Sequence, residues 1–148
     1  GMSTWEINKL GEEMIRSFGC TPNFLNYNGY PASICVSVNE EVVHGIPSKK
    51  RILKEGDIVS LDAGLIYEGY HSDAARTHAV GEISPEARKL VEVTRQAFFE
   101  GIKYAKAGHH LHEISAAIGA YAESFGYGVV RDLVGHGIGT HLHEDPVR

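Results

Sequence analysis

Apolar side chains recur at Ile7, Leu10, Met14 and Phe18, the spacing of one helix face, and predict a helix over residues 3–18. Ser3 and Glu6 have the spacing of a capping box at its start, and Gly19 suits its end. Residues 32–38 and 41–44 alternate around an Asn39-Glu40 turn and predict two short strands. A β-hairpin is expected at about 57–80. Ser84-Pro85-Glu86 opens a long helix, with Pro85 suited to its first turn and Gly108 expected to close it. A further helix is expected from about 111 to 125, with Leu111, Ile114, Ile118, Tyr121 and Phe125 as its buried stripe and Gly126 after it. Residues 128–133 read as a strand. Strand, hairpin, helices and strand in that order indicate an α+β fold. Repeats, low-complexity tracts and linkers rich in Pro, Gly and Ser are absent from the sequence.

The hairpin carries the first candidate chemistry. Both its strands are apolar and β-rich, and Glu68-Gly69 reads as a two-residue turn. That turn pairs Tyr67 with Tyr70, so Asp62 faces Ala75 and Asp73 faces Gly64. Both carboxylates then lie on one face as diagonal neighbours, with Cα atoms roughly 7–8 Å apart. Two like charges converging on one point are costly unless a proton or a metal ion lies between them. Taken alone, the pair also reads as two solvated carboxylates on an open sheet face.

A glycine-rich segment from Val134 to Pro146 holds His136, His141 and His143. Glycine permits close backbone approach and positive φ, and histidine is the commonest metal ligand and a proton shuttle near neutral pH. In an extended strand His141 and His143 would share a face. Beside a paired-carboxylate hairpin these histidines favour a metal site. His109-His110-Leu111-His112 is a competing metal signal, but it falls at an expected helix start, where polar residues are ordinary.

Composition bounds the function. A chain of 148 residues with 43% hydrophobic and 22% charged residues suits one ordinary globular domain with a real core. A net charge of −5 argues against nucleic-acid binding, and Lys49-Lys50-Arg51 reads as a solvated turn. No apolar run approaches the roughly 20 residues that span a membrane, and no secretory signal appears. Two cysteines, Cys20 and Cys35, make no disulfide framework, so a reducing cytoplasmic setting is the expectation.

Five elements occur in order: Tyr27-Asn28-Gly29-Tyr30-Pro31, Asn39 through Pro47 with His44-Gly45-Ile46-Pro47, Asp62-Ala63-Gly64, His71-Ser72-Asp73, and Gly135-His136-Gly137-Ile138-Gly139. Together they resemble the type I (bacterial-type) methionine aminopeptidases, from about Thr4 to Pro146. The resemblance implies a pita-bread fold of two related α+β halves. It also implies removal of the initiator methionine from new polypeptides, with two divalent metal ions as cofactor (cobalt, manganese, iron or zinc). On that pattern Asp62 binds one metal, Asp73 bridges both and His136 is the single histidine ligand. His44 and His143 are the non-ligand histidines that contact substrate and steady the reacting carbonyl. Tyr27, Tyr30, Cys35 and Leu142 line the methionine pocket, with Phe24 where many members carry a smaller residue. Apart from that pattern, Tyr27 and Tyr30 read as core or edge aromatics and Cys35 as an inert packing residue.

The sequence departs from the family at its ends. The family places two further metal-binding glutamates, one of them its general base, downstream of the segment ending at Pro146. It also has a longer helical region before the start of this chain. The chain thus resembles an internal piece with three of the family's five ligands, in which Gly1-Met2 reads as an expression remnant and start, and residues 3–148 as a partial domain. Two rival readings follow. One is a prolidase-like or aminopeptidase P-like peptidase, against which the Asn-Gly-Tyr-Pro and His-Gly-Ile-Pro segments argue. The other is a non-catalytic fragment that binds peptide or protein. A missing half would leave apolar surface open and favour self-association.

Overall fold

The structure, a computed structural model, describes residues 1–147, with side chains described through Asp145. The chain forms two compact units. The first comprises Gly1–Ile83 and Gly137–Asp145, the second Ser84–His136 and the residues from Pro146 onward.

The first unit opens with helix α1 (Thr4–Ser17). Ser3 caps it, accepting from the Glu6 amide at 3.2 Å while the Glu6 carboxylate accepts from the Ser3 amide at 2.8 Å. The helix buries Thr4, Asn8 and Ile15, with Ile7 half-buried, and not the expected stripe: Leu10, Met14 and Phe18 are 51%, 63% and 72% exposed. Hydrogen bonding and close approach explain the difference. The buried Asn8 carboxamide accepts from the Ser33 and Ile34 amides at 2.9 and 3.0 Å, and Gly11 lies directly against Ile34.

Four strands follow: β1 (Thr21–Pro22), β2 (Ile34–Val38), β3 (Ile58–Tyr67) and β4 (Tyr70–Ala79). All the others pair antiparallel to β3, β4 along its whole length and β1 and β2 end to end on its other edge. Glu68 and Gly69 turn the hairpin with φ of +48° and +84°, the geometry that a two-residue turn demands. Strand alternation gives the sheet two faces. One carries Ile34, Val36, Val38 and Val59, packed with Ile7, Leu53, Leu61, Ala63 and Val80 as the main core. The other carries Cys35, Ser37, Ser60, Asp62, Gly64, His71, Asp73 and Thr77. Residues 41–44 form no strand. The Glu41 carboxylate instead accepts from the Val38 amide at 2.7 Å and closes a tight turn, leaving Val42 and Val43 exposed.

In the second unit α2 (Pro85–Gly101) is capped by Ser84, whose Oγ accepts from the Ala87 amide at 3.1 Å. It passes into a 3-10 turn at Ile102–Tyr104, so it ends before Gly108. Helix α3 (Leu111–Ser124) packs on α2, with Ile118 against Gly101. Ile114, Ile118 and Tyr121 are half-buried, whereas the ends of the expected stripe, Leu111 and Phe125, are exposed. Residues 128–133 form no strand, and Val130 and Leu133 are exposed. Strand propensity is realised only against a paired neighbour, and none stands beside them in this unit among the described residues. Short strands β5 (His136–Gly137) and β6 (Glu144–Val147) end the chain. Among the described residues no helix is long and apolar enough to cross a membrane.

Candidate functional site

The register of the hairpin is the one expected. Asp62 pairs with Ala75 and Gly64 with Asp73, so both aspartates stand on the face opposite the main core. Asp62 is half-buried and Asp73 exposed. Cys35 pairs with Asp62 across β2 and β3 and shares that face. Burial pushes the Cys35 thiol up from its ordinary value, and the negative charges of Asp62 and Asp73 push it further. Burial raises the Tyr30 phenol too, and Asp62 adds to that shift. The aspartate contributions follow from two negative charges on one face, a setting in which a cation is favoured.

An apolar cluster lies beside the carboxylates. Phe24, Cys35 and Leu142 are buried together, and Tyr30 packs against them. The Tyr30 hydroxyl donates toward the Ile34 and Gly45 carbonyls at 3.2 and 3.0 Å. It thereby ties the His44-Gly45 segment to β2, where the Gly45 carbonyl also accepts from the Val36 amide at 2.9 Å. A Cβ on Gly45 would stand 2.3 Å from the Val36 carbonyl oxygen, so only glycine permits this approach. His44 is thus anchored through its neighbour, with its own φ at +57° and its side chain exposed.

Residues 137–145 are pinned to the same face. The His71 amide donates to the Gly139 carbonyl at 2.7 Å, Leu142 is buried in the apolar cluster, and the Glu144 carboxylate accepts from the His141 amide at 2.8 Å. His143 follows Leu142, and the Tyr27 hydroxyl lies 2.8 Å from its Nδ1. His141 and His143 sit in bends and not in a strand, so the shared strand face expected of them does not form. His136 lies half-buried on β5 and belongs to the second unit. His109, His110 and His112 also belong to that unit. His109 lies 3.2 Å from Glu113, and the His110 and His112 rings stack at 5.5 Å.

One residue of this face escaped the sequence reading. Asn23 is buried, and its Nδ2 lies within 3.3 Å of the Leu65 carbonyl, the Ser72 carbonyl and His71 Nδ1. It bridges both hairpin strands one row from Asp73. Nothing local in the sequence signals this, because its partners lie more than forty residues away.

The model of metallopeptidase family M24 matches residues 1–148. The chain belongs to this family. It is 57% identical over 146 residues to the methionine aminopeptidase of Clostridium acetobutylicum, covering 99% of this chain and 58% of that protein. The solved methionine aminopeptidase of Thermotoga maritima superposes with a TM-score of 0.96 at 46% identity, covering 99% of this chain and 59% of that one. An Xaa-Pro dipeptidase from Bacillus anthracis is more distant, with a TM-score of 0.82 at 33% identity, over 99% of this chain and 40% of that one. The fold is therefore that of the pita-bread peptidases, and the chain spans about three-fifths of the length of the methionine aminopeptidases that it matches.

Membership in an M24 metallopeptidase family implies divalent metal cofactors. The donor chemistry fits in part: two carboxylates share one face of the hairpin. Hard oxygen donors of this kind suit divalent ions. Among the described residues, however, no group of three His, Cys, Asp or Glu side chains is arranged to hold an ion.

Proposed function

We propose that the protein to which this chain corresponds removes the N-terminal methionine from peptides and nascent polypeptides in the cytoplasm. The 57% identity to a protein named methionine aminopeptidase carries this reading, and the shared face of Asp62 and Asp73 supports it. Asp62, Asp73 and His136 would hold two divalent ions, completed by ligands beyond this chain. Bound ions of this kind supply Lewis acidity toward a peptide carbonyl. Tyr30, Cys35 and Leu142, with Phe24, would receive the methionine side chain in the apolar cluster, and Tyr27 would border it. His44 and His143 would hydrogen-bond the peptide around the scissile bond. Nucleic acid and membrane have no part in this function.

Residues 3–148 act in this reading as part of one peptidase domain. Since this chain spans 58% of the length of the Clostridium protein, the chain alone would bind metal weakly and turn over little in this reading. A peptide-binding fragment without catalysis is therefore the second reading for the chain by itself. Release of methionine from Met-Ala-Ser should be measured with this chain and with a version extended to the length of its relatives, each supplied with manganese or cobalt. The extended protein should release methionine and this chain should release little. Absence of release from the extended protein, or its preference for an Xaa-Pro peptide, would overturn the proposal.

A further inference from the structure

We propose that Ser37 is a positioning residue for His44, holding the backbone of that histidine in the left-handed conformation from which its imidazole is presented. This rests on the aminopeptidase reading only for the use to which His44 is put.

His44 has a φ of +57°. A non-glycine residue enters this region at a cost and stays there when its surroundings fix it. The His44 side chain is exposed, so its own packing does not fix the backbone. The fixing groups act on the next residue. The buried Gly45 amide donates to the Ser37 hydroxyl oxygen at 3.0 Å. The Gly45 carbonyl accepts from the Val36 amide at 2.9 Å and lies 3.0 Å from the Tyr30 hydroxyl. Gly45 is thus held along the edge of β2 with both its polar backbone groups engaged. Ser37 itself is buried, and it pairs with Ser60 as Cys35 pairs with Asp62, on the same face of the sheet.

The peptide unit joining His44 to Gly45 is planar, so the direction of the Gly45 N–H also fixes the direction of the His44 carbonyl. The bond to Ser37 therefore sets ψ of His44 as well as the place of Gly45. Without the Ser37 oxygen the buried amide loses its acceptor, which is costly, and flipping the peptide unit is the route to another. His44 is then free to relax toward the ordinary φ region near about −60°. A turn of that size about the N–Cα bond swings Cβ, and the imidazole with it, away from its present direction. Ser37 acts on the histidine through the backbone alone.

Solution NMR of this chain, without substrate or metal, reads both residues. The three-bond couplings of His44 separate positive from negative φ, and hydrogen exchange reports on the Gly45 amide. The wild type should show positive φ at His44 and a slowly exchanging Gly45 amide. Ser37→Ala should speed that exchange about tenfold or more and move the His44 couplings toward negative φ. Ser60→Ala, a like truncation on the same face, should leave both unchanged. In the protein extended to the length of its relatives and supplied with manganese, Ser37→Ala should lower kcat on Met-Ala-Ser by about 10–100-fold with KM nearly unchanged. Added to His44→Ala, it should cause no further loss. Negative φ at His44 in the wild type, unchanged couplings in folded Ser37→Ala, or additive losses in the double variant would overturn the proposal. Should Ser37→Ala not fold, His44→Gly and His44→Ala test whether the conformation is imposed. Glycine accepts positive φ freely, so His44→Gly should melt several degrees above His44→Ala, and the reverse order would overturn the proposal. Absence of methionine release from the extended wild type would sink the aminopeptidase reading and leave the His44 couplings as expected, so the two ideas fail separately.

Discussion

Gly64 stands opposite Asp73, and a Cβ there would lie 2.1 Å from Asn23 Oδ1 and 2.8 Å from Phe24 Cε1. Asn23 cannot swing aside without releasing its contacts to both hairpin strands. Gly64→Ala should therefore cost about 1–3 kcal/mol through overpacking. Thermal unfolding should show a midpoint several degrees lower, and an unchanged midpoint would contradict this packing. Glu12 offers a second test at this scale. Its carboxylate accepts from the Ser33 hydroxyl at 2.8 Å and from Arg16 at 2.9 Å, and these bonds hold it below its ordinary value of 4.5. A lowered folded-state value means that its stabilisation is present above about pH 4.5 and fades as the pH falls through the folded value. The advantage of wild type over Glu12→Gln in thermal midpoint should thus shrink on acidification below about pH 4.5. A constant gap across that range would show that Glu12 does not titrate against these partners.

At the scale of elements, Asn8 joins α1 to the start of β2. Asn8→Ala would leave the Ser33 and Ile34 amides buried without this acceptor, at a cost of about 2–3 kcal/mol. Chemical denaturation should show a lower midpoint with little change in slope; a variant as stable as wild type would contradict the bridge. The same helix shows what the sequence could convey. Its ends were legible, because Ser3, Glu6 and Gly19 act locally. Its buried face was not, because Asn8 and Gly11 are chosen by a strand more than twenty residues away. The hairpin was legible down to the face of each aspartate, since a two-residue turn fixes parity. Residues 41–44 and 128–133 had strand-like side chains but found no ladder, which pattern alone cannot report. The cluster of Phe24, Tyr30, Cys35 and Leu142 was reached through family resemblance, since no spacing rule links residues so far apart.

At the scale of the whole molecule, each unit leaves large apolar side chains open. Leu10, Met14 and Phe18 are exposed in the first, and Phe98, Val130 and Val134 in the second. The relatives are longer, this chain spanning 58% of the Clostridium protein. Surface of this kind favours association in water. Sedimentation should show a dimer or larger species that dissociates on dilution; a monomer at all concentrations would contradict this expectation.

The central claim is that the face bearing Asp62 and Asp73 is part of a divalent-metal site. Calorimetric titration of this chain with manganese tests it most directly. Weak binding is predicted, reduced about tenfold or more in Asp62→Asn and in Asp73→Asn, and unaffected by replacing His109, His110 and His112. Binding that survives both aspartate substitutions, or that vanishes with those three histidines, would contradict the account.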